Sequence, residues 1–507
     1  MKKKFYKLFI YTLLVTFLGN VSFAENNTNN IEAVNEAINK NTTNEVQESI
    51  SEIQENSKKD EKFPIIDAFK PSENETNKDV IEENIIVKGS VETNAIMSLD
   101  DAIKLALANN PSIMSAISNT EIYKSKIGQA WSGYFPVFGA SVGYDRTKML
   151  MPMMRNMKFD PYNYYKTVTL SAESTIFDFG KTKTEADIAK KSFAATKDNL
   201  QATINDTIYA VKESYYALLF AIQKEAVYQD TVARYEMHLK QANAYYNIGV
   251  KPKLDVITAE YNLSNAKLGH IKAKNEIEIA MASLNNAMGL PEYSNYSIDE
   301  KIKLKKYEYK FDEMITKAYD VRPELLAAQK KAEASGLLVR ASKRAFTPDL
   351  KVAASYNLGG IKPDQDYGYA FGGSLAYPIT NLMFLKKQVD EAKATAKKDD
   401  ADFQKVKQDV YLAVKNAYLV LFETEQTVPV TKNAMLQAQE QYELASGRYK
   451  VGIGEIIELK DAENTYRNSQ LDYYNAILNY NVAVANIEKV VGIPIEQIAK
   501  ILESTDL

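Results

Sequence analysis

The sequence lacks cysteine altogether and has only two histidines, His238 and His270, among 507 residues. The absence of thiols excludes disulfide scaffolds, zinc fingers and thiol catalysis. Two histidines far apart in the sequence leave almost no material for a multi-histidine metal site or a Ser/His/Asp arrangement. The composition therefore disfavours an enzyme, and we expect no catalytic residues, no cofactor and no resident metal.

Proline and tryptophan are also scarce, with 14 Pro and one Trp, whereas there are 33 Tyr. This balance indicates long uninterrupted elements that carry many amphipathic rings. A single ordinary core is not expected for a chain of this length. The net charge is only −4, and no basic patch points to nucleic acid as a partner.

The N-terminus has the pattern of a secretory signal. Lysines at positions 2, 3, 4 and 7 precede an apolar run from Leu8 to Leu18, and Ser22-Phe23-Ala24 follows. We predict that residues 1–24 form a signal peptide that is removed. The run is too short for the alternative, a retained anchor helix, which needs about 20 apolar residues. Because Glu25 and not a cysteine follows, a lipoprotein is not expected.

Residues 25–95 are rich in Asn and Glu, with Phe63 and Phe69 as their only aromatic residues. Such a segment cannot bury enough apolar surface to offset its chain entropy, so we predict a disordered N-terminal extension. Its composition suits a solvated spacer. Docking onto peptidoglycan or onto a partner protein is the alternative.

The rest of the chain carries an internal duplication. Asn110-Pro111 matches Arg322-Pro323, and Tyr144 matches Tyr356, at one constant offset; Gly249 and Gly289 match Gly452 and Gly492 at a smaller one. The first copy is therefore nine residues longer, and the Met- and Pro-rich stretch 148–163 is the expected place of the extra loop. We predict two structural repeats, residues 96–300 and 301–500, followed by a C-terminal tail, 501–507.

Each repeat is predicted to begin with two helices and to continue with a β-hairpin. The opening helices span Ser98 to Ala108 and Phe311 to Tyr319, and the second helices end near Tyr134 and Phe346, just before a proline. The strands then alternate apolar with small or polar residues; the apolar sets are Phe138, Ala140, Val142, Tyr144; Val168, Leu170, Ala172, Ile176; Leu350, Val352, Ala354, Tyr356; and Tyr369, Phe371, Leu375, Tyr377. This pattern suits the wall of an outer-membrane barrel, and a soluble two-layer sheet is the alternative.

Two very long helices are predicted next. The segment Lys183 to Asn247 contains no Pro or Gly, so that a helix there would run close to 100 Å. Its counterpart, Leu385 to Val451, contains Pro429, where we expect a kink. The returning helices place large and small residues alternately along one seam, from Val256 to Leu284 and from Leu459 to Ile487, which is the pattern of antiparallel coiled coils. His270 lies on that seam, where a packing role is favoured over a ligand role because no second ligand type is near.

Four strands per chain cannot close a barrel, and open sheet edges are not tolerated in lipid. Several copies must therefore share one barrel. Three copies would give 12 strands and a polar lumen, with the helices forming a tube coaxial with the barrel.

The chain resembles the TolC-like outer membrane efflux protein (outer membrane factor) family over residues 96 to about 495. The residues that carry the resemblance are Ser98-Leu99-Asp100-Asp101-Ala102 with Asn109-Asn110-Pro111, Tyr134-Phe135-Pro136, Ile176-Phe177-Asp178-Phe179-Gly180, and the two Gly/Val turns followed by Asp255 or Glu458. The resemblance implies a mainly α fold with a β-barrel: a trimeric α-barrel of long antiparallel coiled coils and a shared 12-stranded transmembrane β-barrel. It implies the outer membrane as location, with a periplasmic tunnel, and the role of exit duct in tripartite efflux or type I secretion. The implied partners are a homotrimer, outer membrane lipid, a periplasmic adaptor (membrane fusion) protein and an inner-membrane pump of the RND or ABC type.

The resemblance also implies site residues at the periplasmic tip. Glu458 and Asp461 match the acidic rings of the entrance, where threefold repeated carboxylates would favour cations; acids that satisfy a helix dipole are the alternative. Asp255 and Tyr449 match two of three closing contacts, whereas Gly454 stands where the family has Arg, so that Lys251 and Lys253 are the candidates to replace it. Adaptor docking is expected at Gly249, Val250, Gly452 and Ile453.

Two other functional classes compete with the channel. A periplasmic or surface coiled-coil scaffold, or an adhesin, would share the helices but has no use for lipid-facing strands. An enzyme would need a cluster of titratable groups, and none is visible in the sequence. Within transport, the residues do not separate drug efflux from protein or metal export.

Overall fold

The computed structural model describes residues 96–148, 162–290, 296–299, 310–360, 366–377 and 381–492. The predicted signal peptide, the 25–95 extension, the tail 501–507 and most of the loop 148–163 lie outside these ranges. The described residues all belong to one compact unit, residues 78–507. The two halves of the chain therefore pack into a single body, and the repeat boundaries proposed from the sequence stay a prediction.

The first half contains, in order, β1 (Ile96–Met97), α1 (Leu99–Asn109), α2 (Pro111–Trp131), a 3₁₀ turn (Ser132–Tyr134), β2 (Val137–Lys148), β3 (Tyr162–Phe177), α3 (Lys181–Asn247) and α4 (Lys253–Met288). The second half contains β4 (Ser297–Ile298), α5 (Phe311–Val321), α6 (Pro323–Arg344), β5 (Asp349–Gly360), β6 (Asp366–Ala376), α7 (Leu382–Lys450) and α8 (Ile456–Val491). The same order of elements thus occurs twice, as the duplicated sequence predicts.

The short helices begin where the sequence signals place them. Ser98 caps α1, because its hydroxyl oxygen accepts from the backbone N–H of Asp101. The Asp101 carboxylate in turn accepts from the backbone N–H of Ser98, and the two bonds form a capping box. Asn110 caps α2, whose first residue is Pro111. Both predicted opening helices carry acids in their first turn, as the helix dipole favours.

The four long strands form one antiparallel sheet in the order β2-β3-β5-β6. The register places Phe138 opposite Ala172, and Phe371 opposite Ala354, so that the predicted apolar sets of neighbouring strands share one face. The other face is polar: Thr169 donates to Asn357 over 2.8 Å. The two faces of the sheet agree with the alternation read from the sequence.

The apolar face of this sheet is uncovered in the single chain. Phe138 is 79% exposed, Tyr369 81% and Phe371 79%. A soluble two-layer sheet would cover this face with a second layer, and none of the described elements does so. Contiguous exposed aromatic and aliphatic side chains on one face mark a surface that contacts lipid or protein.

One strand position departs from the prediction. The register of β3 against β5 shifts between Thr175 and Phe177, and Phe177 pairs with Leu350. Ile176, assigned to the apolar set by strict alternation, lies in this irregularity, and Phe177 takes the paired position on the apolar face. An extra residue of this kind bends a strand and increases its twist, which strict period-two counting cannot anticipate.

The long helices form two antiparallel hairpins, which we call the first hairpin (α3 and α4) and the second hairpin (α7 and α8). Helices α3 and α7 have 67 and 69 residues, and α7 continues through Pro429, so each spans about 100 Å. The predicted seams are buried at most positions, including Ala259, Ala273 and Leu284 in α4. Among the described residues, no helix is both long and apolar enough to cross a membrane.

Asp178 joins the sheet to the helices. Its carboxylate accepts from the Tyr134 hydroxyl at 3.0 Å and from the backbone N–H groups of Gly180 at 2.8 Å and Thr182 at 2.7 Å. Phe179 and Gly180 both have positive φ angles, 55° and 83°, so the chain turns sharply between β3 and α3. Burial alone would raise the pKa of Asp178, but the hydrogen bonds from Thr182, Gly180 and Tyr134 outweigh it and lower the pKa below 3.8. The segment Phe177-Asp178-Phe179-Gly180 is therefore a recognisable sequence signal for the sharp turn between β3 and α3.

We predict that Asp178→Asn lowers the midpoint of thermal unfolding of the detergent-solubilised protein, at a cost of about 2–3 kcal/mol, because a neutral amide cannot accept all three bonds. The pKa of the folded state is depressed, so the contribution is present above pH 3.8 and is lost as the pH falls through the lower folded value.

The matched control is Glu173→Gln, which removes an exposed ion pair between β3 and Lys351 of the neighbouring strand β5 and should cost less than about 1 kcal/mol. Differential scanning calorimetry at pH 7 and pH 3 measures both effects. Equal midpoints for Asp178→Asn and the wild type at pH 7 would contradict the prediction.

Candidate functional site

The predicted site residues lie at the ends of the two hairpins. The turn of the first hairpin, residues 248–252, joins α3 to α4, and the turn of the second, residues 451–455, joins α7 to α8. Gly249 and Gly452 both adopt positive φ angles, 75° and 88°, and each donates its N–H back to the end of the preceding helix. We call these two turns and the adjoining helix ends the tip.

Two hydrogen bonds dock one turn against the other. The Tyr245 hydroxyl donates to the carbonyl oxygen of Lys450 at 2.6 Å. The ammonium group of Lys251 donates to the carbonyl oxygen of Gly454 at 2.8 Å. Both bonds connect the first hairpin to a backbone carbonyl of the second, so the two turns are held together within one chain by contacts that depend on the shape of the second turn.

Tyr449 and Asp255, which the sequence singled out as closing contacts, lie close together in this interface. Tyr449 is fully buried against Ile456 and Leu459, and burial together with the nearby Asp255 carboxylate raises its pKa to about 12. Asp255 is also buried, and burial raises its pKa, an effect opposed by Lys251 and increased by Glu455. The structure therefore brings together a buried acid, a buried phenol and the Lys251 ammonium.

The turn leaves no room for a side chain at Gly454, the position at which the family has an arginine. A Cβ atom on Gly454 would lie 2.7 Å from the Tyr449 backbone nitrogen and 2.9 Å from the Arg448 carbonyl carbon, so any side chain would force the turn to change shape. Lys251 supplies a cation beside the same turn, with its ammonium 5.9 Å from the centre of the Tyr449 ring. Of the two candidate replacements, Lys251 contacts the turn, and the side chain of Lys253 is exposed.

The two predicted entrance acids have different surroundings. Glu458 lies in the first turn of α8 and pairs with Arg448 of α7 at 2.9 Å. Asp461 lies one turn further on and is exposed. Arg448, which sequence reasoning missed, neutralises one of the two carboxylates. Asp461 consequently carries more of the negative potential available at this level of α8.

Of the predicted docking positions, Gly249, Val250 and Ile453 are exposed and Gly452 is half-buried. Val250 is 54% exposed and Ile453 is 72% exposed, and further apolar side chains surround them. The exposed apolar residues of the tip are Ile248, Val250, Leu254, Ile257, Val451, Ile453 and Ile457. A contiguous apolar patch at the end of long polar helices is typical of a protein interaction surface.

Among the described residues, neither histidine belongs to a group of three or more metal-ligating side chains. His270 lies on the seam as expected, but the expectation of no nearby ligand type is wrong, since its Nε2 is 2.6 Å from a Glu225 carboxylate oxygen. His238 is buried, and burial and the neighbouring Arg234 lower its pKa to about 4. The contact between His270 and Glu225 is a polar link between α4 and α3.

Further up the hairpins, sequence reasoning missed a buried ion pair. Arg234 of α3 donates from Nε to Glu463 of α8 at 2.8 Å, and the Glu463 side chain is 0% exposed. Tyr442 and Tyr466 stack beside the Arg234 guanidinium group. The only available signal was Glu463 next to the seam residue Ala462, a charged residue at the margin of an apolar stripe.

Both halves of the chain match one known protein family. The family model described as outer membrane efflux protein matches residues 102–290 and 314–493, which together exceed half of the chain. The two matched segments correspond to the two halves of the structure, each with its strand hairpin and helical hairpin.

Individual relatives agree with that match. The chain is 20% identical over 403 residues to the toluene efflux pump outer membrane protein TtgC of Pseudomonas putida, covering 78% of this chain and 83% of TtgC. It is 22% identical over 421 residues to the outer membrane protein TolC of Escherichia coli, covering 77% of this chain and 81% of TolC. The crystal structure of the CmeC outer membrane channel of Campylobacter jejuni superposes with a TM-score of 0.71 at 18% identity, covering 84% of this chain and 96% of CmeC.

Proposed function

The chain belongs to the outer membrane efflux protein family, with the outer membrane as its location, and on that premise we propose that three copies form a channel-tunnel that is the exit duct of a tripartite efflux or type I secretion system. The protein acts as a duct without catalysis or cofactor. The scaffold or adhesin alternative has no support from the relatives, whose names describe efflux and outer membrane proteins.

One observation carries the proposal: the sheet has an exposed apolar face and two outer strands, β2 and β6, with no further partner among the described strands. In a bilayer these edges must find hydrogen bonds. Every neighbouring pair in β2-β3-β5-β6 is antiparallel, so β6 of one copy runs antiparallel to β2 of the next. Identical copies can therefore continue the sheet until it closes.

The number of copies follows from the lumen. Two copies would supply eight strands, the smallest membrane barrel, whose interior is filled by side chains. Three copies would supply 12 strands and leave an open passage. The polar inner face, with its Thr169–Asn357 hydrogen bond and its Lys351–Glu173 ion pair, suits a water-filled lumen. Resemblance to the family favours the same number.

The hairpins would extend the passage as a periplasmic tunnel. Each hairpin buries its own seam and leaves polar side chains outside, as a wall between two aqueous spaces requires. At the far end, the exposed apolar turns around Gly249, Val250, Gly452 and Ile453 would receive the periplasmic adaptor protein, through which an inner-membrane pump of the RND or ABC type delivers cargo. The pump decides which cargo enters.

The tip would act as the gate. The buried Asp255–Tyr449–Lys251 group holds the second hairpin against the first, and opening is an iris-like movement in which α7 and α8 realign against α3 and α4. Because Gly454 replaces the arginine of the family, Lys251 supplies the cation of the lock. Glu458 and Asp461, repeated by threefold symmetry, would form the acidic entrance and offer multivalent cations a blocking site.

The experiment that tests the function combines mass and conductance. We expect the protein purified from outer membranes in mild detergent to have the native mass of three chains and to form discrete ion-conducting channels in planar bilayers. Solitary chains without conductance would overturn the proposal. Replacing Phe371 of the exposed apolar face with Asp should prevent insertion into the bilayer, whereas Ser374→Asp on the opposite face of the same strand should leave it intact.

The lock predicts a gain of conductance. Asp255→Ala with Tyr449→Phe should raise the conductance of the isolated channel, because it removes the buried carboxylate and the phenol hydroxyl that lie together at the contact between the hairpins. The control, Asp230→Ala with Tyr246→Phe, makes the same two side-chain changes at exposed positions of α3 and should leave conductance unchanged. Equal conductance in all three proteins would show that the lock lies elsewhere.

The acidic entrance predicts a loss of block. Glu458→Ala with Asp461→Ala should abolish block by a trivalent cation such as hexamminecobalt, measured as current against blocker concentration. Asp461→Ala alone should weaken block more than Glu458→Ala alone, because Arg448 already pairs with Glu458. Asp472→Ala, at an exposed position higher on α8, is the control. Full block retained in the double variant would place the constriction elsewhere.

A further inference from the structure

The contacts between the two hairpins change character along their length. Near the middle of α3, apolar side chains of both hairpins meet around one small cavity, lined on α3 by Tyr216, Leu219 and Phe220 and on α8 by Tyr474, Ile477 and Leu478. Above this cavity, two ion pairs also join α3 to α8, Lys212 with Glu488 and Lys489 with Asp206. Together these contacts connect the upper parts of the hairpins.

Towards the tip, the contacts between hairpins become polar. Tyr235 donates to Asn464 at 3.4 Å, the Tyr442 hydroxyl lies 3.4 Å from His238 Nε2, and Lys251 bonds to Gly454. Each hairpin also has apolar clusters of its own in this region. The first hairpin has two, one formed by Tyr235, Leu263 and Ala266 and the other by Ala242, Val256 and Ala259. The second hairpin has one, formed by Tyr449, Ile456 and Leu459. Tyr245 is the main aromatic side chain of the first hairpin that packs against the second. Each hairpin is therefore cohesive by itself, and the joint between them consists largely of bonds that water can replace.

The Arg234–Glu463 pair lies at the upper end of this polar joint. Arg234 contacts both helices of the second hairpin: its Nε bonds to Glu463 of α8, and its guanidinium carbon lies 5.5 Å from the Tyr466 ring of α8 and 5.8 Å from the Tyr442 ring of α7. The two rings are stacked, with centroids 5.8 Å apart and planes 11° apart. One side chain of the first hairpin thus contacts both helices of the second hairpin.

This pair resists separation more than the bonds below it. The Arg234 side chain is 17% exposed and the Glu463 side chain is 0% exposed, so parting them would leave a charge buried without its partner, which is strongly unfavourable. The contacts nearer the tip are hydrogen bonds to neutral acceptors and the packing of Tyr245 on Tyr449. Breaking them leaves no buried charge without its partner, so they cost less to separate. When the tip opens, the joint should therefore part up to Arg234 and no further.

We propose that the Arg234–Glu463 pair is the pivot of tip opening, a positioning element that stays closed while the hairpins separate below it. The proposal rests on the gated duct proposed above. From Arg234 to the turn of the first hairpin is about 20 Å along α3, and only this lowest section of the tunnel swings. Without the pair, the movement would extend upward to the apolar contacts around Leu219 and Ile477.

Reversible crosslinks distinguish a pivot from a latch that must break. The chain has no native cysteine, so paired cysteines can be joined by a short bis-methanethiosulfonate reagent and released by a reductant. In the unlocked variant Asp255→Ala with Tyr449→Phe, a crosslink between Tyr235→Cys and Asn464→Cys, one residue from the pivot on each helix, should leave the raised conductance unchanged. At the tip, a crosslink between Tyr245→Cys and Tyr449→Cys, made in a chain that also carries Asp255→Ala, should hold the hairpins together. The conductance should then stay at the wild-type level until reductant is added. Closure of the channel by the Tyr235–Asn464 crosslink would overturn the pivot.

A charge variant tests the same proposal without crosslinking. Glu463→Gln in the unlocked background should raise conductance above that of the unlocked variant alone, because the movement then reaches higher up the tunnel. Glu276→Gln, which removes an ion pair to Lys224 within the first hairpin, should not. If Glu463→Gln fails to assemble as a trimer, Arg234→Gln with Glu463→Gln leaves neither charge buried and replaces it.

Unchanged conductance in the Glu463 variants would overturn the pivot. The failure of the pivot is distinct from a failure of the proposed function, since in the latter case the wild-type protein would form no channel at all.

Discussion

Backbone N–H and C=O groups along β2 and β6 face away from the four-stranded sheet, and in hydrocarbon each unpaired group is costly. The apolar face beside them, with Phe371 and Tyr369 almost fully exposed, has no use in water. Because of these two properties, the sheet of a single chain is incomplete in a bilayer. The requirement that identical neighbours complete its sheet also fixes the geometry of everything attached to it, because helices that leave a closed ring of strands must themselves stand in a ring.

In the proposed duct, the helical part must be stiff along its length and able to separate at one end. Apolar seams within each hairpin, such as the one around Ala259 and Ala266, keep the helix pairs intact. Between the hairpins, the contacts below the Arg234–Glu463 pair are mainly hydrogen bonds. Hydrogen bonds depend on alignment, so a change of angle between the hairpins disrupts them first. The pair stays closed, because parting it would leave a charge buried without its partner.

Much of this was accessible from the sequence, for physical reasons that differ from element to element. The long helices and their seams follow from the absence of Pro and Gly in α3 and from the strict spacing in α4, and the strand faces follow from period-two alternation. The shift at Ile176 was not accessible, because a bulge leaves no mark on alternation. Nor were the Arg448–Glu458 pair, the contact of Lys251 with Gly454, or Arg234–Glu463, since each joins helices whose relative rotation the sequence does not state.

The position of the buried ion pair along α3 divides that helix very unequally. About 80 Å of α3 lies between Arg234 and the sheet, against about 20 Å between Arg234 and the turn. With the pivot proposed above, the moving section would end about 80 Å from the strands, so that opening would leave the strands in place. In the proposed duct, the wall in the lipid would therefore stay intact at each opening, and the permeability barrier of the outer membrane would not depend on how often the gate moves.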